Sequence, residues 1–162
     1  MADLLSAVHS SLELAAAAKI IDNAIALRRE SGVLPLAVAV LDSGGNLVAF
    51  KREDGSGVLR IDIAVGKARA ALGMGMSTRL IRDRLGSRVA FQAALAAASD
   101  GRFIPVPGGV LILDQSGKAI GAVGISGDAS DKDEYCAIEA VRAAGFASEP
   151  AEPNPEWRNA GL

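Results

Sequence analysis

Residues 110–127 read VLILDQSGKAIGAVGISG. Two apolar, β-prone runs flank Gln115-Ser116-Gly117, so the stretch predicts a β-hairpin turning there. A second stretch, LPLAVAVLDSGGNLVAFKRED (34–54), has the same form around Asp42-Ser43-Gly44-Gly45-Asn46. Two hairpins make an antiparallel sheet, and the remaining segments must cover it. Those segments have helical periodicity: SSLELAAAAKIIDNAIALRRESG (10–32), VLRIDIAVGKARAALGMG (58–75), STRLIRDRLGSRVAFQAALAAAS (77–99, broken near Gly86) and SDKDEYCAIEAVRAAG (130–145). The order helix, hairpin, helices, hairpin, helix predicts an α+β domain.

End signals sharpen the helices. Ser10 or Ser11 suits the start of the first and Gly32 its end. Its inward stripe is Leu14, Ala17, Ala18, Ile21, Ala24 and Ile25. The second helix turns Ile61, Ala64, Val65, Ala68 and Leu72 inward. In the last helix Ser130 and Asp133 form a modest capping box, and Gly145 suits the residue after its end. FIPVPGG (103–109) is a loop, because Pro105 and Pro107 lack ladder donors. Residues 1–147 form one domain. SEPAEPNPEWRNAGL (148–162) is a Pro-rich tail carrying Trp157, which should dock on the domain.

The glycines of the second hairpin pose the main question. Side chains on a strand alternate, so Ala122, Gly124 and Ser126 share one face. On the first strand Leu36, Val38 and Val40 share one face, while Ala37 and Ala39 make the other one small. If these two strands are neighbours, the sheet has a bare patch that something approaches closely. A packed helix, such as the alanine-rich first one, or a ligand groove would satisfy it.

Composition narrows the function classes. The chain has 162 residues, half of them apolar, 22% charged, with a net charge of −2 and 4% aromatic residues. This excludes a basic, ring-rich nucleic-acid surface. No run of about 20 apolar residues suggests a membrane span. Cys136 is the only cysteine, so no internal disulfide forms. With no basic leader at the N-terminus, the expected location is cytoplasmic. No residues have metal-ligand spacing.

Three segments, AVAVLDSGGNLVAFKREDGS (37–56), IDIAVGKARAA (61–71) and PVPGGVLILDQSGKAIGAVGISGDASDKDEYCA (105–137), together resemble the haem-binding, GlcG-like family, also called HbpS-like or DUF336. That family includes the C-terminal domain of some corrinoid adenosyltransferases. The resemblance implies a profilin-like α/β/α domain with a central antiparallel sheet of about five strands. It also implies a homo-oligomer, from dimer to octamer, and a small-molecule ligand, with haem or another tetrapyrrole leading.

Candidate site residues follow. Lys67 sits in a segment matching the family, near Arg60, and reads either as the solvated flank of a helix or as an anion contact. Gly108 and Gly109 could offer backbone N–H groups to an anion. The expected ligand-binding rim is Arg52, Lys67, Gly108, Gly109, Gly124 and Ser126, with Asp128 beside it. If the chain is instead a cofactor-independent isomerase or lyase acting on a small organic acid, Lys67 and Asp128 are the acid/base candidates. A third reading is an oligomeric accessory subunit without chemistry. For haem iron, His9 is the only histidine and reads better as solvent-facing or capping. Tyr135, Cys136, Met74 and Met76 are the other possible ligands.

Overall fold

The computed structural model describes residues 5–162. Helix α1 (Leu14–Ser31) leads into hairpin β1 (Ala37–Asp42)–β2 (Leu47–Arg52), followed by helices α2 (Arg60–Met74), α3 (Thr78–Leu85) and α4 (Val89–Ala98). Hairpin β3 (Gly109–Leu113)–β4 (Ala119–Ser126), helix α5 (Ser130–Ala143), strand β5 (Ala147–Glu149) and a short 3₁₀ turn at Trp157–Asn159 complete the chain. The five strands are antiparallel in the order β2-β1-β4-β3-β5. The expected α+β layering is therefore present.

The two hairpins close in the same way. Asp42 Oδ1 accepts the backbone N–H groups of Gly44 and Asn46, each at 2.9 Å. Asp114 Oδ1 accepts those of Ser116 and Lys118 at 2.8 and 2.9 Å. Gly45 and Gly117 both take φ +79°, a left-handed conformation that side chains disfavour. The hairpins meet at β1 and β4, which pair Ala37 with Ser126, Ala39 with Gly124 and Leu41 with Ala122.

Strand alternation gives the sheet two unlike faces. Val38, Val40, Val110, Ile112, Val123 and Ile125 pack against α1 and α5 with Ile20, Ile21, Ile138 and Val141. The opposite face is small and lies under α2: Ala37 and Ala39 cluster with Ala64, and Ala122 with Ala68 and Ala71. At Gly124 a Cβ would overlap the carbonyl oxygen of Ala64 and come within 2.9 Å of the Ala68 nitrogen. The close approach expected over the glycine strand is thus made by α2, not α1. The helix fills the space a ligand groove would need.

Several sequence expectations are corrected by local partners. Ser10 and Ser11 do not cap α1. Glu13 is its N-cap residue, and Ser11 Oγ instead donates to Ile120 O and accepts from Ser43 N–H, both at 2.9 Å. Leu14 is exposed and Ile20 is buried. In α2 Ile61 faces outward and Lys67 inward, because the helix is covered on two sides and loses a single stripe. Gly66 on its outer side lies against Ile104. Ala129, not Ser130, is the N-cap of α5. Asp133 Oδ1 accepts the N–H of Asp128, the residue before that cap, at 3.0 Å, so the expected Ser130–Asp133 capping box is not made.

The segment expected as a tail supplies the edge strand β5, which pairs with β3 through Leu111–Glu149, Ile112–Ser148 and Leu113–Ala147. Trp157 is buried and stacks on Tyr135, with ring centroids 3.7 Å apart and planes 9° from parallel. No helix among the described residues is long and apolar enough to cross a membrane.

Candidate functional site

The sequence-derived rim residues mostly converge, but as packed interior. Lys67 Nζ donates to Asp133 Oδ2 and to Ile125 O, both at 2.9 Å. Neither Lys67 nor Asp133 reaches solvent, so Lys67 is not the solvated flank of its helix. Burial pushes the Asp133 carboxyl up, while the Lys67 ammonium and the Asp128 N–H pull it down. The net shift is upward.

Gly108 abuts the lysine, and a Cβ there would lie 2.8 Å from Nζ. The Gly109 N–H is already donated to Thr78 Oγ1 at 2.8 Å, so it is not offered to an anion. Ser126 is buried and accepts from Arg60 Nη1 at 3.2 Å. Arg52 is exposed at the end of β2 and donates to Ser56 O at 3.3 Å.

Asp128 also serves the fold. It accepts the N–H groups of Leu34 at 3.0 Å and Ala129 at 2.7 Å, with Lys132 Nζ at 3.5 Å. Burial alone would raise its pKa, but these donors hold it below the ordinary value. It is a structural carboxylate at neutral pH, tying the start of α5 to the turn before β1.

A cavity among the described residues lies elsewhere. It has a volume of about 590 Å³ and opens between the β1–β2 turn, the C-terminal half of α2 and the end of α4. Leu72, Met74, Leu95 and Phe103 supply apolar wall; Ser43, Asn46 and Ser99 supply neutral polar groups. Its only charged lining residues are Arg69 and Arg102, and no acidic side chain lines it. Arg69 Nε is buried and has no hydrogen-bond partner, and Arg102 has only a long contact to Asp100, at 3.5 Å. A cleft of this size with apolar walls and two cations suits a small apolar acid.

None of Arg52, Lys67, Gly108, Gly109, Gly124, Ser126 or Asp128 lines this cavity. One signal for Arg69 was present in GKARAA. Two basic residues two apart cannot share a helix face, so with Lys67 buried Arg69 had to point elsewhere. The contribution of the β1–β2 turn had no local signal, because it depends on where α2 ends over the sheet.

A family model described as haem degrading protein, HbpS-like, matches residues 12–142. The chain belongs to this family. An uncharacterized 15.0 kDa protein from the dhaT–dhaS intergenic region of Citrobacter freundii is 31% identical over 132 residues, covering 82% of this chain and 91% of the relative. Among solved structures, protein ORFY of Klebsiella pneumoniae, a DUF336 protein, superposes with a TM-score of 0.73 at 26% identity, covering 86% of this chain and 94% of that one. A doubly substituted HbpS of Streptomyces reticuli gives 0.71 at 26% identity, with 88% and 92% covered. A PduOC–haem complex gives 0.74 at 21% identity, with 85% and 98% covered, and shows the shared fold.

Of the iron-ligand candidates, Met74 lines the cavity and Met76 does not. Cys136 is buried in the core on the other side of the sheet, where burial pushes its thiol up to about 12. Tyr135 is stacked on Trp157, and His9 is exposed outside the cavity lining. No group of three or more His, Cys, Asp or Glu among the described residues is placed to hold a metal ion.

Proposed function

We propose that the chain binds haem or a related tetrapyrrole in the cavity between α2, α4 and the β1–β2 turn. The observation that carries this reading is Arg69, which lines a cleft walled by Leu72, Leu95 and Phe103 and whose Nε is buried without a hydrogen-bond partner. The residues present fit the group: apolar walls for the macrocycle, two arginines for its propionates, and one thioether, Met74, within reach of the cleft. Membership of the HbpS-like family supports the same ligand class. Bound haem would supply an iron centre for one-electron or oxygen chemistry. The chain's own part is to hold the acid groups and exclude water from the ring.

Titration with haem, followed by its absorbance, tests the reading. Saturable binding of one haem per chain is expected. Ala98→Trp, at an exposed lining position of α4, should abolish it by filling the cleft, and His9→Ala should leave it unchanged. Haem binding that survives Ala98→Trp, or is lost in His9→Ala, would place the site elsewhere.

A homo-oligomer, dimer or larger, is part of the proposal. Its support is the family and a set of exposed apolar side chains, Val58 and Leu59 before α2 and Val89 and Phe91 on α4. A solution mass near 16.5 kDa by light scattering would contradict it.

A further inference from the structure

We infer that the cavity selects its ligand by a carboxylate held on Arg69 beside an apolar face, without help from a metal ion, so that metal-free porphyrin acids bind as haem does. The inference rests on the tetrapyrrole reading above and goes further, because it names what is recognised.

The first support is the state of Arg69. A buried guanidinium N–H without an acceptor carries a desolvation cost that an incoming carboxylate removes. The Arg69 residue as a whole is half-buried on α2. The second support is the charge of the lining. Arg69 and Arg102 face the cleft with no acidic lining side chain to neutralise them. An anion on Arg69 therefore displaces no ion pair among the described residues, and on Arg102 it competes only with the long, exposed contact to Asp100 at 3.5 Å.

The third support is the donor set for iron. Haem iron is ordinarily held by His, Cys, Tyr, or Met partnered by His. Here Met74 is the only one of these types in the lining, and its side chain packs against the cluster of Ala70, Ile81, Leu85 and Phe103. A lone thioether already engaged in packing adds little to binding. The carboxylate and the ring face are what remain for the protein to read.

The test compares three probes on the full chain: haem, metal-free protoporphyrin IX, and protoporphyrin IX dimethyl ester. Haem and the free acid should bind within about threefold of each other, and the ester about tenfold or more weaker, the loss expected for a charged hydrogen bond. Arg69→Gln should bring the free acid down to the level of the ester. If that variant fails to fold, the acid–ester comparison on the native chain still decides. Haem binding with no binding of the free acid would overturn the inference and leave the haem reading standing. Equal binding of acid and ester would overturn it too. Binding of the free acid without haem would overturn both the equal binding inferred here and the haem reading, and no binding of any probe would defeat both as well.

Discussion

Lys67 Nζ lies 2.9 Å from Asp133 Oδ2, in a position where neither side chain is more than 2% exposed. The pair joins α2, on one face of the sheet, to α5 on the other, through the end of β4, where Ile125 O takes a second ammonium proton. A buried pair of this kind is costly to break from one side, because the partner is left charged and unpaired. Lys67→Ala should therefore destabilise the fold by about 3–5 kcal/mol. Lys67→Met with Asp133→Leu should cost less than either single change. Denaturant unfolding of the three variants checks this. A single Lys67→Ala variant of native stability would show that the pair is not formed in solution.

Gly124 should tolerate no side chain. The Ala64 carbonyl oxygen occupies the place a Cβ would take, so any Cβ there must push α2 off the sheet. Gly124→Ala should already lower the melting temperature. Gly124→Val should lower it further, by overpacking worth about 1–3 kcal/mol or more. A more stable Gly124→Val, as β-propensity alone would give, would mean that α2 does not touch the strand.

This contact also marks where the sequence was legible and where it was not. The alternation of Ala37 and Ala39 with Leu36, Val38 and Val40 was enough to predict one small face, and the two turns were enough to predict an antiparallel sheet. Which helix covers that face is a matter of tertiary topology, and the helical stripe of α2 misled because the helix is buried on two sides. Lys67 is the clearest case: its charge argued for a surface position, and only the distant Asp133 explains its burial. The cavity was illegible for the same reason. Arg69, Arg102 and Asn46 come together only once α4 and the β1–β2 turn are placed around the end of α2.

Stability should fall as pH rises from about 4.5 to about 7. Burial drives the Glu134 carboxyl up to about 7 from its ordinary value of 4.5, and Asp131 and Glu149 add to the shift, with Arg79 and Arg82 opposing it. Both its oxygens are buried without a hydrogen bond, and Arg79 Nη1 is 3.4 Å away. The native state thus holds this proton more tightly than the unfolded chain. Between the two values it binds more protons, so raising pH favours unfolding. The loss should be about 3 kcal/mol, complete above pH 7. Glu134→Gln should reduce this loss, leaving the part set by Asp133, whose carboxyl is also pushed up, and leaving the acid limb below pH 4, where Asp128, whose pKa is lowered in the fold, acts with the opposite sign. An unchanged pH profile in Glu134→Gln would assign the dependence to another group.

The C-terminal segment should behave as part of the domain. Its backbone is held from several sides: Arg79 Nη2 donates to Glu152 O and Arg142 Nη2 to Ala151 O, both at 2.7 Å, and Asn154 Nδ2 reaches Asp131 Oδ2 at 3.0 Å. The Ser77 backbone N–H and hydroxyl both donate to the Glu149 carboxylate, which fixes β5 at the start of α3. On this frame the Trp157 ring lies flat on Tyr135, with Arg158 over its outer side at 4.4 Å. The sole tryptophan should emit at shorter wavelength than indole in water and resist iodide. Trp157→Ala should cost about 3 kcal/mol, since a large, nearly buried ring is removed from a stacked pair. Trp157→Phe, which keeps the stack, should recover most of that loss. A water-like spectrum with full quenching, or a Trp157→Ala variant as stable as the native chain, would mean that the segment after β5 does not hold the position it takes here.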